Sequence, residues 1–231
     1  MAIRHQLSLP EEVLLLALHD EKGTTSFGSM YGYAIAGGVV AELTLHGRFG
    51  VERVKKSTLL DVVNTAPVGD PLLDEALEQV RTAKRRASVQ TWVQRFTRLR
   101  AHERLAERLR LRGVLRRHEG RFLFVFPRAT YPTVDGRPEL DAIERIRRAI
   151  FDDAPVDSRT AILASLAHAT GLLGDLFGRK ELKRRKQRIR ELTELHDAGA
   201  AANAAVHAVQ VATIAAVTAA VSAATAAAAS G

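Results

Sequence analysis

Apolar positions recur at helical spacing along most of the chain, and capping residues punctuate them. Ser8-Leu9-Pro10-Glu11 reads as a capping box, with Pro10 in the first turn, where its missing N–H costs nothing. The apolar run behind it predicts a helix to about Leu18, stopping at Asp20-Glu21-Lys22-Gly23. Residues 28–46 are apolar on every face and predict a central, buried helix ending at Gly47. Its glycines at 32, 37 and 38 weaken it intrinsically and make sense if another helix packs very close. Phe49, Val51 and the β-branched pair Val62-Val63 predict a hairpin turning at Lys55-Lys56-Ser57. Asp70 caps a helix from Pro71 to about Arg86, with Leu73, Leu77 and Val80 on one face. Ser88 caps a helix to Phe96, and a further helix with Leu99, Ala106 and Leu109 on one stripe ends at Gly113.

Residues 114–126 predict a second hairpin, turning at His118-Glu119-Gly120. Its second strand is Phe122-Leu123-Phe124-Val125-Phe126, an apolar run that does not alternate, so both faces need cover from the fold, a partner or a membrane. Helices follow at about 139–151, 157–177 and 179–197. Residues 198–231 contain no Asp, Glu, Lys or Arg and 18 alanines. Length alone would let this segment span a bilayer. Alanine is barely favourable in lipid, and Asn203, His207 and Gln210 interrupt the first half, so a final core helix is the expectation. The pattern describes an all-α fold with two short β-hairpins, one domain over residues 1–222, and an alanine-rich tail at 223–231 that frays.

Composition narrows the chemistry. The 231 residues hold no cysteine, which excludes a disulfide framework, thiolate zinc sites, iron–sulfur ligation and cysteine nucleophiles. The first twenty residues lack the form of a signal peptide. The formal net charge is +8, distributed unevenly. Residues 81–121 carry 14 Lys+Arg against 3 acids, and residues 179–190 carry 8 against 1, on an otherwise acidic body. Such blocks are either solvated helix faces or patches that attract polyanions, namely nucleic acid or an anionic membrane.

No catalytic constellation emerges. The glycines at 28–38 match neither the Walker nor the dinucleotide pattern, and no Gly-x-Ser-x-Gly occurs. The eight histidines are dispersed without metal spacing, and His168, on an apolar helix, reads as a core histidine. Asp152-Asp153 reads as an exposed helix end. No enzyme activity, metal or cofactor is therefore expected. Trp92 and Phe96 belong to the apolar stripe rather than interleaving with arginines, and no recognition-helix pattern appears, so nucleic acid ranks last. Arginines beside an apolar hairpin are instead the two signals that hold a peripheral protein on an anionic membrane.

Several segments, in order, resemble the Golgi phosphoprotein 3 family: Leu7-Ser-Leu-Pro-Glu-Glu-Val-Leu-Leu-Leu16, Thr25-Ser26-Phe27, Glu42-Leu43 with Gly47-Arg48, and Gly69-Asp70 with Leu72-Leu-Asp-Glu-Ala-Leu77. Glu103-Arg-Leu-Ala106, Gly113-Val-Leu115, Phe122-Leu123 and Leu166-Ala-His-Ala169 continue the series. The resemblance implies a central helical bundle surrounded by amphipathic helices, with β-hairpins. It also implies a peripheral membrane protein that binds phosphatidylinositol 4-phosphate, inserts an apolar hairpin and holds glycosyltransferases by their tails. Where the family builds its headgroup pocket, this chain has Gly28, Ala36, Leu99 and His102, so the pocket is not carried over. Arg98 and Arg100 stand beside the substituted positions.

The resulting expectation is an adaptor on the cytoplasmic face of a membrane. Arg98, Arg100, Arg104 and Arg108 would meet anionic headgroups, Phe122, Leu123, Phe124, Val125 and Phe126 would enter the interface, and membrane-protein tails would be further partners. The alternative is a soluble homo-oligomer that covers the same hairpin with a second copy.

Overall fold

The computed structural model describes residues 6–18, 30–122, 126–194 and 204–229, with the backbone alone at 120–122, 126–128, 194, 204–210 and 228–229. Helix α1 (Leu9–Ala17) starts at Ser8, whose backbone N–H donates to the Glu11 carboxylate at 2.8 Å, with Pro10 in the first turn. α2 (Met30–Leu45) is the central helix, and its residues 34–44 are all buried. The chain then forms the hairpin β1 (Phe49–Val54) and β2 (Ser57–Val62), turning at Lys55-Lys56, and β2 pairs on its other side with the two-residue β3 (Ala87–Ser88). Between them, α3 (Pro71–Arg81) is capped by Asp70, whose carboxylate accepts from the Leu72 and Leu73 N–H groups. α4 (Val89–Phe96) is capped by Ser88, a single 3-10 turn covers Thr97–Leu99, and α5 (Ala101–Leu111) follows.

The second hairpin, β4 (His118–Phe122) with β5 (Phe126–Thr130), differs from the expected register. His118, Glu119 and Gly120 lie within β4 rather than in the turn, and Phe122 and Phe126, expected in one strand, pair with each other across the two strands. The reason is visible at the base. The bridge Leu115↔Thr133 sets a register that continues through His118↔Thr130 to Phe122↔Phe126, which places the two phenylalanines on opposite strands. Leu123, Phe124 and Val125 lie outside the described residues.

The C-terminal half is α6 (Arg137–Phe151), α7 (Ser158–Ala169), α8 (Leu172–Phe177), α9 (Arg179–Arg184), α10 (Lys186–Glu194) and α11 (Ala204–Ala229). The helix expected over 157–177 breaks at Gly171, which adopts φ +83°, and the one expected over 179–197 breaks at Arg185. His168 is exposed on α7, which corrects its reading as a core histidine. α11 continues past residue 222 to Ala229. It packs on α2, α4, α7 and β1, burying Thr213, Ala216, Val217 and Ala220. Among the described residues no helix is long and apolar enough to cross a membrane.

Two glycines explain how close these helices come. A Cβ on Gly37 would lie 2.7 Å from Val217 Cγ2 and 2.9 Å from Leu166 Cδ2, against α11 and α7. A Cβ on Gly38 would lie 3.1 Å from the Pro10 nitrogen, against α1. The glycines weaken α2 by about 1 kcal/mol each relative to alanine, and the packing they permit offsets that.

Charge fixes the angular arrangement of the helices around α2. Glu11, Glu12 and Glu42 are buried, and each meets arginine. Glu11 receives Arg108 of α5 at 2.7 Å and Arg112 at 3.4 Å. Glu12 receives Arg145 of α6 and Arg159 of α7, the latter at 3.4 Å. Glu42 accepts from Arg159 at 2.9 Å and from the Leu9 N–H at 2.7 Å, while Arg159 also donates to the Leu7 carbonyl at 2.6 Å. Burial pushes the Glu12 pKa above the usual carboxylate range, against the pull of Arg145 and Arg159.

Three outcomes are expected in urea melts. Gly37→Ala destabilises by about 1–3 kcal/mol through overpacking, whereas Gly32→Ala, with no atom within 4 Å of the new carbon, is neutral or stabilising. Arg159→Met costs about 3 kcal/mol or more, because it leaves Glu12 and Glu42 buried with one cation fewer. Asp157→Ala costs about 1 kcal/mol at neutral pH, since Asp157 caps α7 through Thr160 N–H at 2.9 Å. Partial burial opposes ionised Asp157, but the Thr160 hydrogen bonds and Arg145 outweigh it and hold its pKa below the usual value. Its contribution is thus complete above the unfolded-state pKa and is lost as pH falls through the folded one, so the gap to Asp157→Ala closes in acid.

Candidate functional site

The arginines of the first basic block fall into two sets once folded. One set is consumed by structure. Arg108 donates to Glu11, to Asp70 and to Ser8 Oγ, the last at 3.0 Å, and these two carboxylates outweigh the burial that opposes its charge. Arg86 clasps Asp61 and Glu52, tying β3 to the first hairpin. The block is therefore less of a like-signed patch than its composition implies.

The outward set lines a groove of about 880 Å³ along α5. Arg98, Arg100 and Arg104 come from the 3-10 turn and α5, Arg117 comes from the hairpin base, and Ala129 and Tyr131 come from β5 and the residue after it. Three carboxylates share the groove: Glu103 pairs with Arg100 at 2.6 Å, Glu75 pairs with Arg104 at 2.6 Å, and Glu107 pairs with Arg110 at 2.7 Å. Arg98 is exposed, and no ion pair engages it among the described residues. Arg100 adopts φ +52°, a left-handed conformation uncommon for a side chain of this size, where the chain turns from the 3-10 segment into α5.

So three of the four expected headgroup residues share one groove, and Arg108 lies behind it. Arg117, Tyr131 and Glu75 were missed by sequence reasoning. The hairpin register would have revealed the first two, because it returns residues 131–133 to the end of α5. Of the expected hairpin residues, Phe122 and Phe126 form the last backbone pair of the ladder. The hairpin base is anchored by rings: His102 lies edge-on between Tyr31 of α2, at 5.5 Å, and Tyr131, at 6.1 Å. Burial lowers the His102 pKa, with Glu103 opposing. A smaller recess of about 340 Å³ opens beside this stack, lined by Tyr31, Tyr33, Phe96 and Arg100. Leu99 and Ala36 are buried and contribute no polar group to either cavity.

Among the described residues no three His, Asp or Glu side chains gather as metal ligands. What the groove offers is guanidinium donors in exposed ion pairs, beside a rigidly based hairpin.

Comparison with known proteins gives a relative and a family. The chain is 35% identical over 150 residues to vacuolar protein sorting-associated protein 74 of Eremothecium gossypii, a match that covers 56% of this chain and 44% of the relative's length. The family model of Golgi phosphoprotein 3 (GPP34) matches residues 9–212, from the first turn of α1 into α11. The match includes the buried carboxylates, their arginines, the groove and the hairpin, and the chain belongs to the Golgi phosphoprotein 3 family.

Proposed function

We propose that this protein is a peripheral membrane adaptor. In this reading anionic phospholipid headgroups enter the α5 groove at Arg98, Arg100 and Arg104, while the β4–β5 hairpin buries its apolar end in the interface. One observation carries the reading: the groove is lined jointly by arginines at the start of α5 and by the stalk of the hairpin whose last pair is Phe122↔Phe126. A membrane that receives the hairpin therefore meets the arginines too. Arginine suits the task, since its planar fork pairs with phosphate in two-point fashion. The name of the Eremothecium relative, a protein-sorting factor, fits an adaptor on membranes. By family resemblance, the cytoplasmic tails of membrane proteins are the second class of partner, and the cytoplasmic face is the location.

The substitutions at Ala36, Leu99 and His102 favour recognition of negative charge in general over one phosphoinositide. Each arginine near an anionic surface contributes about 1 kcal/mol, so three hold the protein reversibly and salt releases it. In liposome flotation, vesicles containing phosphatidylglycerol are expected to carry the protein, and phosphatidylcholine vesicles are not. Adding phosphatidylinositol 4-phosphate at equal total charge should give no further gain. Equal flotation with both vesicle types, or with neither, overturns the reading. Phe124→Asp is expected to abolish flotation without altering sedimentation. A shift from oligomer to monomer in that variant would show instead that the hairpin joins two copies.

A further inference from the structure

The groove does not end at Arg117. A second recess of about 510 Å³, lined by Glu107, Arg110, Leu115, Arg116, Arg117 and Glu119, shares Glu107 and Arg117 with the first. The two form one continuous trough along the exposed side of α5 and the hairpin base. Its charges are ordered. At one end stands Arg98 and at the other Arg116, both exposed and neither engaged by a side-chain hydrogen bond or ion pair among the described residues. Glu103 and Glu107, one turn apart on α5, lie between them. In that middle Glu103 pairs with Arg100, Arg104 with Glu75 and Glu107 with Arg110, so an anion gains most from the arginines at the two ends. Each end has a reserve arginine in an exposed pair, Arg100 with Glu103 and Arg117 with Glu119 at 3.0 Å.

We infer that the trough holds two separate anionic headgroups, one at Arg98–Arg100 and one at Arg116–Arg117. This rests on the headgroup reading above and extends it. The placement argues for two molecules rather than one: Arg98 lines only the first recess and Arg116 only the second, with the ion-paired Glu103, Arg104 and Glu107 between them. A membrane presents many headgroups at once, and the second is captured at the high effective concentration set by the first. The occupant is thus a surface of anionic lipids, and a free phosphate compound fills either end only weakly.

Flotation of the full chain against a phosphatidylglycerol titration in phosphatidylcholine vesicles tests this. Bound wild-type protein is expected to rise more steeply than in proportion to the anionic fraction. Arg98→Ala and Arg116→Ala should each weaken binding about fivefold and make the dependence nearly proportional, and the double variant should lose both contributions. Glycerol 3-phosphate, as a soluble competitor, should displace neither form at concentrations comparable to the lipid. Among the described residues neither arginine side chain has a partner to lose, so unchanged circular dichroism melts serve as the folding control. If Arg116→Ala binds like wild type while Arg98→Ala is weakened, the second headgroup site is wrong and the headgroup reading stands. If wild type ignores phosphatidylglycerol altogether, the headgroup reading itself has failed.

Discussion

Two adjacent carboxylates on the first helix govern the arrangement of the rest. Consecutive helical residues point about 100° apart, so Glu11 and Glu12 cannot meet the same neighbour. Glu11 faces α5 and Glu12 faces α6 and α7, and both are buried. A carboxylate taken out of water without a partner costs several kcal/mol. Only an arrangement that brings Arg108, Arg145 and Arg159 to these positions is tolerable. Glu42 on α2 completes the set by holding the Leu9 N–H and Arg159 together. The apolar core supplies the driving force for collapse, but leucines on α1 would accept several rotations of their neighbours. The ion pairs accept one.

That constraint decides which arginines of α5 can act outside. Arg100, Arg104 and Arg108 follow one another at four-residue steps, and each step turns the row by about 40°. The side chains are 78%, 35% and 29% exposed in that order. The row therefore begins on the surface and ends in the Glu11–Asp70 pocket. Read along the chain, the three are equivalent basic residues at helical spacing. Only the partners, 97 and 38 residues away, separate the structural arginine from the surface ones.

The same contrast between local and distant causes runs through the fold. The caps at Ser8, Asp70 and Ser88 and the close approach at Gly37 and Gly38 were legible, because each acts within a few residues or through an obvious absence of side chain. The second hairpin was misread because its strongest local signals conflict with its pairing. Gly120 reads as a turn residue, five apolar residues read as a strand, and nothing local marks the pairing of residues 115–122 with 126–133. The bridge Leu115↔Thr133 overrides both signals by fixing the register from the base. Arg117 and Tyr131 entered the groove by the same route, and no pattern within either segment announces it.

The magnitudes also explain how a groove full of ion pairs can receive a phosphate. An exposed pair such as Arg100–Glu103 is worth about 0–1 kcal/mol, which a charge-assisted bond to phosphate replaces without loss. Withdrawing Arg108 would leave buried Glu11 with only the longer contact to Arg112 and leave Asp70 without its cation, at about 3 kcal/mol, more than one headgroup returns. Exposure thus sorts the arginines into exchangeable and fixed, and the net +8 of the sequence overstates what an outside anion can use. Arg98 and Arg116 have no side-chain partner to exchange among the described residues. They are where an approaching negative surface gains most, and they stand at opposite ends of the trough with the hairpin rising beside it.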